Sequence, residues 1–167
     1  NKKLAELKGV ALTIPNESIL LSTLTLQEAR ESSSIENIVT TQDDLFKEEI
    51  NISDIISNAA AKEVLNYRRA MQTGFRLVKE NHLITCNHIK QIQSELESNK
   101  AGFRNVPGTM LKNNNGEVVY TPPQDGTEIV RLMTNLEQFI NDNDLCDVDP
   151  LIKLAIVHHQ FESIHPF

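Results

Sequence analysis

Along most of the chain apolar residues recur at mixed three- and four-residue spacings, the period of helices that bury one face. Residues 15–25 read as a lead-in segment, with Pro15 and Asn16 ahead of the apolar stretch Ile19-Leu20-Leu21. A helix is expected from Leu24 to about Glu36, closing in the serine run Ser32-Ser33-Ser34. Thr41-Gln42-Asp43-Asp44 offers capping side chains for a short helix through Phe46 and Glu49. The longest helical candidate runs from Asp54 to about Glu80, with Ile55, Ile56, Ala59, Ala60, Val64, Leu65 and Tyr67 as its apolar positions. Thr85 is placed to cap a further helix striped by Ile89, Ile92 and Leu96, which should stop near Gly102.

Over residues 103–123 the period changes. Thr109 to Lys112 and Glu117 to Tyr120 are short extended runs around Asn113-Asn114-Asn115-Gly116, and Asn-Gly tolerates the positive φ of a tight hairpin turn. Pro122-Pro123 forbids the second strand from continuing. Thr127 is expected to cap a helix carrying Ile129, Leu132, Met133, Leu136 and Ile140 on one side. Asp149-Pro150 is a helix start, a capping carboxylate followed by proline at the first helical position. The helix after it, from Leu151 through Val157 to Ser163 or Ile164, is apolar on nearly every face and reads as a buried central helix. Pro166 disfavours helical geometry at His165, so His165 should sit where the chain leaves that rigid support.

The 167 residues are enough for a domain with a sizeable core, and 40% hydrophobic against 23% charged is ordinary for a globular chain. Aromatics are only 5% and tryptophan is absent, so aliphatic side chains must fill the core. No apolar run approaches the ~20 residues needed to span a membrane. Asn1-Lys2-Lys3-Leu4 lacks the apolar region and cleavage site of a signal peptide, and a start without Met suggests a front-trimmed sequence. Cys86 and Cys146 are isolated, with no Cys-x-x-Cys spacing, so a reducing cytoplasm is the expected location. A net charge of -7 disfavours a duplex-DNA binder, which needs a basic face, but leaves room for a small cationic nucleotide pocket.

Candidate chemistry gathers in His158-His159-Gln160-Phe161-Glu162-Ser163-Ile164-His165-Pro166-Phe167. His158 and Glu162 are i,i+4 neighbours and His165 would make a third metal ligand, but the glutamate does not lie inside a His-x-x-x-His pair as in the zinc motif. The other reading has His158 and His159 satisfying hydrogen bonds beside a helix, and no metal site is assigned.

The stretch from Phe161 to Phe167 resembles the opening of the Fic-family signature, His-Pro-Phe-x-Asp/Glu-Gly-Asn-Gly-Arg-x-x-Arg. Three further features come in the family's order. Ser32, Glu36 and Asn37 match the inhibitory helix motif Ser/Thr-x-x-x-Glu-Gly/Asn. Val118-Val119-Tyr120-Thr121-Pro122-Pro123 is similar to the flap against which a target segment docks, and the helix from Asp149 into His165 is similar to the one that leads into the active loop. The resemblance covers roughly residues 15–167. It implies a mainly α, Fic-type helical fold with one β-hairpin flap, incomplete at the C-terminus. Residues 1–52 would be an N-terminal segment with the inhibitory helix at about 24–37. Residues 53–167 would be the first part of the Fic core, with the flap at about 109–121 and the central helix at about 150–164. The Gly-Asn-Gly-Arg-x-x-Arg part is not in this sequence, which stops at Phe167, so a fragment, inactive by itself, is expected.

The resemblance further implies a protein adenylyltransferase that moves AMP from ATP to a Ser, Thr or Tyr hydroxyl of a target protein. His165 would be the general base, suited by an unperturbed pKa of about 6.5, and Phe167 a buried anchor. Glu36 would be an autoinhibitory brake, helped by Ser32 one turn earlier. An anion near a helix C-terminus is disfavoured by roughly 0.3–1 kcal/mol, which a cationic partner would offset; the plain alternative is an exposed carboxylate. Tyr120 and Thr121 would pair with a target strand through the backbone, or belong to an ordinary hairpin packed on the core. The implied small molecules are ATP and Mg2+, the latter liganded beyond Phe167. The implied partners are a protein substrate and possible self-association, with no membrane and no nucleic acid. The alternatives are a catalytically silent Fic-fold regulatory module, or an enzyme transferring a different phosphate-containing group.

Overall fold

The computed structural model describes residues 2–11, 13–35, 37–41, 43–45 and 59–167, and residues 17–21 by backbone only. The chain is mostly helical, with one small antiparallel sheet. It forms two compact units, Asn1–Gln72 and Thr73–Phe167.

The first unit opens with helix α1, Lys2–Ala11, which the apolar pattern does not announce and which buries none of its residues. Helix α2 spans Glu17–Ile35. It begins directly after Asn16, earlier than the expected Leu24, so Ile19-Leu20-Leu21 is helix rather than lead-in. No Pro or Gly interrupts residues 17–35, and straight-chain side chains carry the helix through. Its buried face is Thr25, Ala29 and Ser33, one residue per turn. These small side chains let α2 pack closely in a core of Ala29, Leu45, Ala61, Val64 and Leu65, flanked by Leu26 and Tyr67. The serine run does not stop the helix, since the Ser34 hydroxyl bonds back to the Glu31 carbonyl at 2.6 Å inside it. Asn37 stops it, in a left-handed conformation with φ 65°. Its N–H donates to the Ser34 carbonyl (3.1 Å) and the Ile38 N–H to the Ser33 carbonyl (3.0 Å), the bond pair of a Schellman closure.

Thr41 and Asp44 cap one another: the Asp44 N–H donates to the Thr41 hydroxyl at 3.1 Å, and the Thr41 N–H to the Asp44 carboxylate at 3.2 Å. Residues 43–45 form the helical turn that this box begins. Gln42, Phe46, Glu49, Asp54, Ile55, Ile56 and Glu36 lie outside the described residues.

Helix α3, Ala59–Asn81, crosses from the first unit into the second. Helix α4, Cys86–Glu97, starts at Thr85, whose side chain accepts the His88 N–H. It ends before the expected Gly102, because Ser98 turns left-handed with φ 53°. Gly74 of α3 allows close approach to α4: a Cβ there would stand 3.1 Å from Ile92 Cδ1. Strands β1, Leu111–Lys112, and β2, Val118–Tyr120, pair antiparallel with Leu111 opposite Tyr120 and Lys112 opposite Val118. Their turn holds Gly116 at φ 83°, and the Gly116 N–H donates to the Asn113 carbonyl at 2.9 Å. The Asn113 side chain accepts from the Asn115 and Glu117 N–H groups, so the first asparagine braces the turn and the glycine bends it.

Helix α5 spans Gly126–Asn141. Asp125, not Thr127, is its cap, because the Asp125 carboxylate accepts the Thr127 and Glu128 N–H groups at 2.7 and 3.1 Å. Gly126 can then lie against Asn105, where a Cβ would meet the backbone at 3.1 Å. Ile129, Met133 and Leu136 are buried together with Ile164, and Leu132 and Ile140 pack beside them, the stripe read from the sequence. Helix α6, Pro150–Ile164, begins where Asp149 accepts the Leu151 N–H at 2.9 Å.

Within these residues α6 is not the buried central helix expected. Val157, Phe161 and Ile164, at i, i+4 and i+7, occupy its one covered stripe on α5. Ile164 alone on this helix is fully buried, while Leu151, Ile152, Leu154 and Ile156 are 43–62% exposed. One neighbouring helix covers only part of a cylinder's circumference, so an all-round apolar sequence leaves several faces open.

Candidate active site

The end of α6 delivers His165. Its backbone is left-handed, with φ 46° and ψ 65°, and its N–H closes back on the Phe161 carbonyl at 3.0 Å. A non-glycine residue in that region costs on the order of 1–3 kcal/mol, so the surroundings must impose it. Pro166 follows and is buried, and Ile164 before it is 1% exposed. The turn is therefore pinned on both sides of a half-buried histidine. Among the described residues no group hydrogen-bonds the His165 imidazole.

The residues holding this turn come from the loop after α4 and from the hairpin. The Arg104 Nε donates to the His165 carbonyl at 2.6 Å. Its Nη2 donates to the carbonyls of Pro123 (2.6 Å) and Ile164 (3.2 Å). The Arg104 backbone N–H donates to the Pro166 carbonyl at 2.8 Å. The Tyr120 hydroxyl donates to the Ser163 carbonyl at 2.7 Å. A helix C-terminus leaves its last carbonyls unpaired and carries partial negative charge, so a guanidinium suits it twice over. Phe167 packs on Phe103, ring centroids 5.3 Å apart, and on Phe161 at 6.4 Å. It is half-buried rather than buried, held by two rings instead of a closed core. Lys90 stands 5.0 Å over the Phe103 ring.

Two candidate residues thus meet here, His165 and Tyr120. Thr121 is exposed beside Tyr120 at the strand exit. All three residues of β2 are exposed, and among the described residues β2 pairs with β1 alone, which leaves its other edge without a strand. Ser32 is half-buried on α2, one position off the buried stripe, and lies in the other compact unit. His159 Nδ1 and the Ser163 hydroxyl are 3.2 Å apart, a local pairing. Among the described residues no group of three or more His, Cys, Asp or Glu side chains is placed to hold a metal, so His158, Glu162 and His165 do not form the metal site weighed above. Neither the cleft of about 480 Å³ between Gln93 and Phe167 nor that of about 920 Å³ along Leu83 and residues 137–145 is lined by His165.

Arg104 is the site residue the periodic pattern does not single out. Its only sequence signal is a cation inside the short loop Gly102-Phe103-Arg104-Asn105-Val106, where no helix face or strand alternation accounts for it.

Comparison with known proteins bears on the family and the fold. The family model described as "Fic/DOC family N-terminal" matches residues 1–76, and the one described as "Fic/DOC family" matches residues 83–167. A crystal structure of a Fic family protein from Desulfovibrio desulfuricans G20 is similar with a TM-score of 0.65 at 17% sequence identity. The similarity covers 99% of this chain and 50% of that one, so this chain spans about half the length of that relative. At this identity the likeness speaks for the fold.

Proposed function

The chain belongs to the Fic/DOC family, and from that premise we propose that the full-length protein is an adenylyltransferase acting on a Ser, Thr or Tyr hydroxyl of a target protein. The observation that carries this reading is His165, the first residue of His-Pro-Phe, held in a left-handed turn at the end of α6 with its ring unbonded. In the proposed step an imidazole nitrogen takes the hydroxyl proton as the oxygen attacks the α-phosphorus of ATP. The bond to the β-phosphate oxygen breaks, and pyrophosphate leaves with the electron pair. General-base catalysis of this kind contributes about 10²–10⁴-fold.

A triphosphate needs backbone N–H groups and cations, whereas α6 presents the negative end of its dipole to this loop. The phosphate-binding groups are therefore not assigned to the exit of α6. Magnesium is the cofactor of this reading, and among the described residues no group of three or more His, Cys, Asp or Glu side chains is placed to hold it. The open edge of β2 supports docking of an extended target segment beside Tyr120 and Thr121 through the backbone. Glu36, with Ser32, is proposed as the brake. What supports it is Asn37: the closure at Asn37 is the geometry that a Gly or Asn after the glutamate provides.

The test is transfer of radiolabel from α-labelled ATP by the full-length protein. Glu36→Gly is expected to raise incorporation. His165→Ala in that background is expected to lower it by about 10²–10⁴-fold. Equal labelling in all three proteins would rule the assignment out, and label from the γ-position would indicate transfer of phosphate instead.

A further inference from the structure

Four consecutive carbonyl oxygens at the exit of α6, those of Ser163, Ile164, His165 and Pro166, are each engaged from outside the helix. Tyr120 takes the first, and Arg104 takes the other three, two with its guanidinium and one with its own N–H. The same guanidinium reaches the Pro123 carbonyl at the foot of the hairpin. A planar fork with donors at fixed angles sets the relative orientation of the carbonyls it binds, which a flexible ammonium does not. The carbonyls of Ile164 and His165 flank the φ and ψ of His165, which set where its Cα–Cβ bond points. The hydrogen bonds of Arg104 go to backbone carbonyls and not to the imidazole.

We propose that Arg104 is a positioning residue for His165: it fixes the left-handed turn through the carbonyls of Ile164 and His165 and so sets the direction of the imidazole toward the attacking hydroxyl. This rests on the reading of His165 as general base. It adds that the loop after α4 and the hairpin, joined through Arg104 and Pro123, determine how well that base is aimed. A residue serving stability alone would change how much protein is folded and leave the folded fraction fully active.

The experiment uses the full-length protein carrying Glu36→Gly, compared with the same protein also carrying Arg104→Met, Arg104→Lys or, as a control, Arg131→Met. Among the described residues Arg131 pairs with Glu128 alone, on the exposed side of α5. Arg104→Met should lower kcat by about 10²-fold, the scale of loss for a small misplacement of a catalytic group, with KM for ATP unchanged. Arg104→Lys, which retains the charge but not the fork, should fall between, and Arg131→Met should match the parent. Amide exchange at the His165 N–H, bonded to the Phe161 carbonyl, should quicken by about tenfold in Arg104→Met while exchange in the middle of α5 stays as it was. If Arg104→Met does not fold, Arg104→Lys carries the test. A kcat lost only in proportion to the unfolded fraction, or His165 exchange unchanged, would overturn the proposal. If the Glu36→Gly parent transfers no AMP, the adenylyltransferase reading fails. His165 exchange then decides the role of Arg104 by itself.

Discussion

Asn37 and His165 both take left-handed backbone angles, and each marks the end of a helix beside a residue with a proposed role. For Asn37 the conformation comes from its type, since a short amide side chain tolerates this region and glycine tolerates it better. Asn37→Gly is therefore expected to keep stability within a few tenths of a kcal/mol, and Asn37→Val to lose about 1–2 kcal/mol, both read from urea unfolding midpoints. For His165, also among the non-glycine types that tolerate this region, the conformation is held in addition by the carbonyl contacts of Arg104. Cys86 shows a different kind of local control. Burial, then the hydrogen bond and charge of Glu137, push its thiol up to about 11, so it stays protonated at neutral pH and is no nucleophile for the proposed chemistry.

The elements are held at their ends by side chains that the sequence displays, though not always by the ones it advertises. Thr85 and Asp149 cap as expected; at α5 the cap is Asp125 rather than Thr127, two residues sooner, because the Asp125 carboxylate accepts the Thr127 and Glu128 N–H groups. The N–H groups of Glu128 and then Thr127 hold the Asp125 carboxyl below the usual carboxylate range. A depressed folded pKa contributes stability that is present above the unfolded value, about 3.9, and is lost as pH falls through the folded one. Asp125→Ala should accordingly lower the melting temperature at pH 7, and the gap to the parent should shrink as the pH drops below about 4, followed by thermal scans. Between elements, α4 and α5 are tied by polar side chains that no periodicity reveals. Asn141 both accepts the Ile84 N–H (3.0 Å) and donates to its carbonyl (2.6 Å), and Glu137 accepts the Cys86 N–H.

At the scale of the whole molecule, the exposure of Leu151, Ile152, Leu154 and Ile156 around the first half of α6 is the largest departure from expectation. A polypeptide of these 167 residues should bind the dye ANS through these side chains. Ile152→Lys with Leu154→Lys should cut that fluorescence by more than half, and an unchanged signal would locate the dye elsewhere. No helix among the described residues is long and apolar enough to cross a membrane, so this helix is not a spanning segment. The sequence by itself determined the helical class, the hairpin with its glycine, the stripe of α5, and the place of His165 at a helix exit. These are short-range properties: spacing, caps and prolines act within a few residues. It did not show that α2 begins at Glu17, directly after Asn16, because residues 17–24 have the composition of a helix and of an apolar lead-in alike. Nor could it show how far α6 is covered, because an apolar residue records only a preference for burial and not whether a neighbour is there. Only the tertiary structure could bring Arg104 against the carbonyls of Ile164 and His165, some sixty residues later in the chain, because a side-chain bond to backbone carbonyls places no requirement on which residues carry them.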